Sequence, residues 1–370
     1  MRILLDYRPA LRERTGVGEY VHELAAALDR RRSADDSLTL FSSSWKDRVA
    51  SRPIARVRVV DARIPVRVLN LAWHRLRFPP VEWIAGSMDI VHSPSPLLIP
   101  AISAARVVTI HDLDFLDHPE RTRAEIRRDY ADLAASHARR ADAIIVVSAF
   151  TAGEVVNRLG VPRERITVCS PGAPAWPVRP APCPTGPILF MGTLEPRKNV
   201  GALLGAYARL LFTLPSVPPL LLAGAATPAA APWLDAIKRP PLAGHVEHLG
   251  YVAPAKRYDL YARASMLVLP SHLEGFGLPV LEAMTIGLPV VISRRGALPE
   301  VAGDAAIAVE PDDQAALAAA MTRYLRDASA AATAAERGRA RAQQYSWDAS
   351  ATALYGAYQG ALARRRGVRR

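Results

Sequence analysis

Glu274 and Glu282 stand with seven residues between them, around the run Gly275-Phe276-Gly277-Leu278-Pro279. Carboxylates placed this way accept hydrogen bonds from sugar hydroxyls. The two glycines let the backbone come close to a ligand. Pro279 reads as the first residue of a short apolar helix that ends near Gly287, because its missing N–H is not needed there. The unpaired N–H groups and positive end of such a helix favour a phosphate. Together these residues fit a ligand that carries both hydroxyls and phosphate. They also fit a tight turn with two ordinary acids, since Glu282 near a helix start gains from the dipole without any ligand.

Three other segments have residue types that could do chemistry. Gly192-Thr193-Leu194-Glu195-Pro196-Arg197-Lys198-Asn199 sets two adjacent cations at a helix start, where they oppose the dipole. A local rule broken just after a strand marks function, and a diphosphate bridging Arg197 and Lys198 would offset the cost. Two surface cations without a ligand are the alternative. His111-Asp112 follows the strand Val107–Ile110 at its carboxyl end, where α/β sheets build their sites. A histidine there donates or accepts a hydrogen bond near neutral pH, or is structural. Thr15-Gly16-Val17-Gly18-Glu19-Tyr20 opens a helix, but Val21 stands where a dinucleotide fingerprint needs its third glycine. It reads as a loop whose amides approach a phosphate or acceptor, or as a plain helix start.

These segments need elements to hold them, and strands alternate with helices along the chain. In the first half the strands are Ile3–Leu5, Leu38–Phe41, Ile90–His92, Val107–Ile110, Ala143–Val147 and Ile166–Cys169. Several are continuous apolar runs, as in a parallel sheet covered on both faces. Thr151 with Glu154 reads as a capping box on a helix running to Leu159 and Gly160. A proline-rich stretch from Pro171 to Pro187 reads as a semi-rigid linker. The alternation then restarts with strands Ile188–Met191, Leu220–Ala223, Val246–Leu249, Met266–Leu269 and Pro289–Ile292. Helices are expected over Val200–Leu211, Pro254–Ala262, Pro279–Thr285 and Gln314–Leu325, with a helical tail broken near Tyr345-Ser346-Trp347.

The fold class is therefore α/β, with two doubly wound, Rossmann-like domains facing a cleft. Residues 1–170 form the first domain, 171–187 the linker, 188–345 the second domain, and 346–370 a C-terminal helix with a basic tail.

The 370 residues suit two domains, and the balance of 47 basic against 35 acidic residues gives a net charge of +12. A nucleic-acid binder would concentrate that charge in a basic motif with interleaved aromatics, and none is seen. The two cysteines, Cys169 and Cys183, sit in no metal-ligand or redox spacing and fit a reducing, cytoplasmic setting. The first residues read as a strand and not as a signal peptide, and no run is long enough to span a bilayer. Val66 to Phe78 mixes Arg67, His74, Arg75 and Arg77 with apolar residues. It reads as an amphipathic helix with its apolar stripe in the core, or as a basic helix lying on an anionic membrane surface. The tail from Arg364 to Arg370 is either a second lipid contact or a solvated end.

Taken together, Gly16-Val17-Gly18, His111-Asp112, Glu195 through Asn199 and Glu274 through Met284 resemble the retaining glycosyltransferases of family 4, which have the GT-B architecture. The match runs over nearly the whole chain. The version here looks most like bacterial mannosyltransferases of surface-polysaccharide synthesis.

The resemblance implies a nucleotide diphosphate sugar as donor, leaning to GDP-mannose, and a glycan or lipid-linked acceptor. It implies no metal and no cofactor. Glu274 would bind hydroxyls of the donor sugar, and Glu282 the nucleotide ribose. Gly275 and the amides of Phe276, Gly277 and Leu278 would face the sugar or diphosphate. Arg197 and Lys198 would neutralise the leaving diphosphate, and His111 would lie near the reacting centre. Gly16 and Gly18 would close the first-domain side. Two departures stand out: Thr193 occupies a position where many relatives have Arg, and Pro171-Gly172 replaces a common Asn-Gly. Epimerases of nucleotide sugars and sugar phosphorylases share this fold, and a non-enzymatic basic binding module is a further alternative.

Overall fold

The computed structural model describes residues 1–11, 14–43, 49, 54–121 and 124–367. Its first sheet has seven strands: β1 (Arg2–Asp6), β2 (Ser37–Ser42), β3 (Arg58–Asp61), β4 (Ile90–Ser93), β5 (Ala105–Ile110), β6 (Ala143–Val146) and β7 (Ile166–Val168). Their order is β3-β2-β1-β4-β5-β6-β7, and every pair is parallel. The second sheet has six: β8 (Ile188–Met191), β9 (Leu220–Ala223), β10 (Val246–Gly250), β11 (Met266–Leu269), β12 (Val290–Ser293) and β13 (Ala306–Val309). Their order, β10-β9-β8-β11-β12-β13, is again parallel throughout. Strands such as β6, β8 and β11 are buried along their whole length, because helices cover both faces. In each sheet the order reverses beside the first strand, β1 or β8, and this switch point is where doubly wound folds open for ligands.

The chain divides into two units, Met1–Gly172 with Ser346–Arg370, and Ala173–Tyr345. Pro171 and Gly172 fall in the first unit, and the rest of the expected linker belongs to the second. There the Arg179 N–H donates to the Ile286 carbonyl at 3.2 Å and its guanidinium to the Ala264 carbonyl at 2.9 Å, so Arg179 ties this stretch to the second body. At the two crossings the Ala173 N–H donates to the Tyr345 carbonyl at 3.0 Å within the second unit. Within the first unit a Cβ on Gly172 would lie 2.2 Å from the Trp347 nitrogen, so only glycine fits there.

After that crossing the Trp347–Gly367 helix packs on the Gly16–Arg31 helix and on β5, β6 and β7. Its Tyr358 is buried and shares a 2.7 Å hydrogen bond with His92 Nδ1, while His92 Nε2 meets Thr109 Oγ at 2.7 Å. The last residues of the basic tail, 368–370, lie outside the described residues.

Three local expectations change. The Ala149–Leu159 helix is capped by Ser148, whose hydroxyl oxygen accepts the Thr151 N–H at 3.0 Å. Thr151 lies one turn inside the helix, so Thr151 and Glu154 form no capping box. The helix after the glycine run begins at Leu278, one residue before Pro279. The proline still sits in the first turn, where its missing donor costs nothing. Val66 to Phe78 is a short helix, Val66–Leu71, followed by a π turn, Ala72–Leu76. Only Leu69 and Trp73 of its apolar residues reach the core.

Candidate active site

In the second unit, β8 and β9 are each followed directly by a glycine, Gly192 and Gly224, and β10 ends on Gly250. A Cβ on Gly224 would lie 1.9 Å from the Gly192 carbonyl oxygen, so the two strand ends pass too closely for any side chain. The chain after Gly192 makes a 3-10 turn, Pro196–Lys198, before the Val200–Thr213 helix. Asn199 takes a left-handed conformation at that junction (φ 55°), and its side-chain amide donates to the Pro311 carbonyl at 2.7 Å. The turn is joined to the loop after β11 by its backbone: the His272 N–H donates to the Arg197 carbonyl at 2.8 Å.

This junction brings Lys198, Arg197 and Glu274 together, as the sequence predicts. Lys198 Nζ donates to Glu274 Oε1 at 2.5 Å, and Ser271 Oγ donates to the same oxygen at 2.8 Å. Arg197 lies 3.8 Å from Glu274 Oε2 and is held from the other side by Glu195 at 2.9 Å. Glu274 and Lys198 are both buried. Burial by itself would raise the Glu274 pKa, but the charges of Lys198 and Arg197, with hydrogen bonds from Lys198 and Ser271, hold it below the ordinary carboxylate value. Glu274 is therefore ionised and buried, with cations already against it.

The glycine run that follows is shaped by packing. Gly277 is left-handed (φ 104°), and a Cβ there would strike Leu298 at 2.6 Å. A Cβ on Gly296 would lie within 2.8 Å of the Glu274 backbone, so Gly296 makes room for the loop. The Phe276 ring turns inward and meets Tyr345 edge to face at 5.4 Å. Any contact from Phe276 to a ligand must therefore come from its backbone. The Leu278–Ile286 helix starts directly after Gly277 with no side-chain cap.

Glu282, one turn into that helix, is buried and engaged separately. Tyr261 Oη donates to its Oε2 at 2.6 Å, and Arg257 Nη1 pairs with its Oε1 at 3.2 Å. Burial and the adjacent Glu282 charge push the Tyr261 phenol well above its ordinary pKa, so it stays a hydrogen-bond donor. Sequence reasoning missed Ser271, Arg257 and Tyr261. Only Gly192, Gly224 and Gly250 left a readable signal, as glycines closing three successive strands.

In the first unit His111 follows β5 as expected. A backbone hydrogen bond to the Pro94 carbonyl falls to Nδ1, because Nε2 is buried with no hydrogen-bond partner among the described residues. Burial lowers the ring's pKa to about 4, against the smaller opposing pull of Asp112, so the imidazole is neutral at neutral pH. Tyr20 meets the ring edge to face at 5.1 Å, Trp347 packs on Tyr20 at 5.8 Å, and the Tyr20 hydroxyl donates to the Cys169 carbonyl at 2.9 Å. Gly16 is exposed at the start of its helix. Gly18 is buried, and a Cβ there would lie 2.6 Å from the Pro9 carbonyl oxygen, so its glycine serves helix packing.

Two doubly wound parallel sheets, with a buried acid–cation cluster at the strand ends of one and a neutral histidine at a strand end of the other, define a glycosyltransferase of the two-domain Rossmann type. Residues 185–341 match the family of glycosyl transferases group 1, and residues 14–175 match glycosyltransferase family 4. The chain is 31% identical to O-antigen chain mannosyltransferase B of Escherichia coli, over 97% of this chain and all of that one. It belongs to the group 1, family 4 glycosyltransferases and is an enzyme of that class. Among solved structures, sucrose-phosphate synthase from Thermosynechococcus elongatus has the same fold, with a TM-score of 0.79 at 22% identity, covering 98% of this chain and 99% of that one. An Anabaena protein crystallised with UDP and glucose follows at a TM-score of 0.69 and 18% identity, covering 96% and 98% of the two chains.

Proposed function

We propose that this enzyme transfers mannose from GDP-mannose, with retained anomeric configuration, to a glycan or lipid-linked acceptor in surface-polysaccharide synthesis. We place it on the cytoplasmic face of a membrane as a peripheral protein. The Lys198–Glu274–Ser271 cluster, with Arg197 beside it, carries this reading. The name of the Escherichia coli relative supports the choice of sugar and product.

In this reading Glu274 accepts hydrogen bonds from hydroxyls of the donor sugar, and Glu282 from the ribose. Lys198 and Arg197 take up the charge that develops on the leaving diphosphate, and the start of the Leu278–Ile286 helix adds its dipole. That assigns to side chains the work a divalent metal would do. The bond from the anomeric carbon to the phosphate oxygen breaks as the acceptor oxygen bonds to the same face. The acceptor proton passes to the departing phosphate oxygen, so no protein nucleophile is needed. Neutral His111 accepts a hydrogen bond at Nε2 from a hydroxyl near that carbon.

A thermal-shift panel of nucleotide sugars tests the donor, because a ligand that binds only the native state raises Tm by mass action. GDP-mannose is expected to give the largest rise, and Glu274→Ala to remove it. A larger rise with another nucleotide sugar would reassign the donor. Transfer that survives EDTA supports the metal-free step, and transfer abolished by EDTA and restored by a divalent cation would end it.

A further inference from the structure

Nine large apolar side chains are exposed among the described residues, and six of them fall between Val68 and Ile102. Single exposed hydrophobics are ordinary, but a contiguous set marks an interaction surface. These six are linked. Val68 and Leu71 lie three apart on the Val66–Leu71 helix, opposite buried Leu69. Leu76 and Phe78 follow on the π turn and just beyond it, and the Phe78 ring meets Trp83 edge to face at 5.2 Å. Glu82, next to Trp83, accepts the Ile102 N–H at 2.9 Å, which brings Ile102 alongside. Leu76 is 72% exposed and Trp83 is 66% exposed, although the stretch they belong to is anchored by Trp73 at 1%.

The same stretch is strongly basic. From Ala62 to Val81 there are four arginines, Arg63, Arg67, Arg75 and Arg77, and no acidic residue. All four are exposed, and Arg75 also reaches Asp132 at 3.5 Å. The C-terminal basic run arrives at this place too: the Arg365 guanidinium donates to the Ile102 carbonyl at 3.3 Å. Arg106 is half-buried; burial lowers its pKa against the opposing pull of Asp142, and the nearby charges of Arg365 and Arg77 lower it further.

We propose that this face seats the enzyme on an anionic phospholipid surface, with Leu76, Phe78 and Trp83 at the acyl boundary and the arginines among the headgroups. The inference deepens the membrane reading given above and rests on it. Large apolar side chains interleaved with arginines are what an anionic interface binds. A second copy of the chain would bring one row of arginines against another, and that repulsion argues against self-association.

The test uses the full chain in flotation with phosphatidylglycerol/phosphatidylcholine vesicles and with phosphatidylcholine alone. The protein is expected to float with the anionic vesicles and to be released as salt is raised. Leu76→Ser with Phe78→Ser is expected to weaken partitioning at least about tenfold, from the lost apolar burial. Arg67→Gln with Arg77→Gln is expected to weaken it roughly ten- to thirtyfold on anionic vesicles. Both double variants are expected to keep wild-type sugar transfer to a water-soluble acceptor. Wild-type protein that stays unbound, or variants that float as the wild type does, would overturn the proposal. So would a wild-type dimer, without flotation, that Leu76→Ser with Phe78→Ser converts to a monomer. Transfer without flotation overturns this inference and the membrane placement but leaves the transfer reaction standing, and flotation without transfer overturns the enzymatic reading instead.

Discussion

The second unit pairs the charges of its candidate site among its own residues, whereas in the first unit Nε2 of His111 has no hydrogen-bond partner among the described residues. Glu274 has Lys198, Arg197 and Ser271 around it, and Glu282 has Arg257 and Tyr261. His111 presents a buried Nε2 with no partner among the described residues, on a ring kept neutral by its surroundings. Buried charge without a partner is far more costly than a buried neutral nitrogen. In the proposed reading, a site built to meet a diphosphate therefore needs internal ion pairs to stay folded on its own. A site that offers only a hydrogen-bond acceptor can wait unsatisfied at modest cost.

The contrast is broken most severely at Lys198. Lys198→Ala leaves a buried carboxylate with only Arg197 at 3.8 Å and the Ser271 hydroxyl. Stability is expected to fall by about 3 kcal/mol or more, read by chemical denaturation of the second unit. Sugar transfer is expected to fall at least about a hundredfold, because in the proposed reading Lys198 takes up charge on the leaving group. Lys198→Ala activity close to wild type would remove this residue from the leaving-group role.

Acid should separate the two units next. Burial lowers His22 and His111 to about 4, and His92 and His137 to about 3, and all four belong to the first unit. Between those values and the ordinary 6.5, the unfolded chain binds protons that the folded chain refuses, so the first unit loses stability as pH falls through that window. Glu274 is depressed below its ordinary 4.5, so the stability it contributes is kept until the pH drops further. Hydrogen exchange near pH 5 is expected to open the first unit before the second, and the reverse order would refute the assignment.

The smallest effect is a refinement at Glu282. Tyr261→Phe removes one neutral donor and should cost about 1–2 kcal/mol. It is expected to move the donor KM more than kcat, since Glu282 is assigned to the ribose and not to the reacting carbon. A change confined to kcat would place Glu282 nearer the chemistry.

Much of this was legible in the chain itself, for physical reasons that differ by element. The central strands β8, β9 and β11 match the expected residues to the ends, because a strand buried on both faces is an unbroken apolar run. The edge strands β3 and β13 were not anticipated. Arg58–Asp61 is half-exposed and ends on charges, and Ala306–Val309 is short and largely half-buried. The Glu274–Glu282 spacing pointed to two acids that the structure buries and pairs, since glycines, a proline and acids left a local mark. Tyr261 and Arg257 left none, because they reach Glu282 across the packing of two helices, and helix packing has no short-range signature. Gly18 shows the opposite case, where a glycine in a site-like motif is accounted for by the close approach of Pro9.

The two chain crossings have a further consequence. The segment from Ala173 to Tyr345 begins and ends on residues joined to each other by a 3.0 Å backbone hydrogen bond. Topologically it is an insertion whose ends meet. A recombination that exchanged this segment for that of a relative would carry the Ala173–Tyr345 contact with it and leave Gly172, the glycine that clears Trp347, in the first unit. In the proposed reading, donor preference is then inherited as a cassette while the first unit is kept.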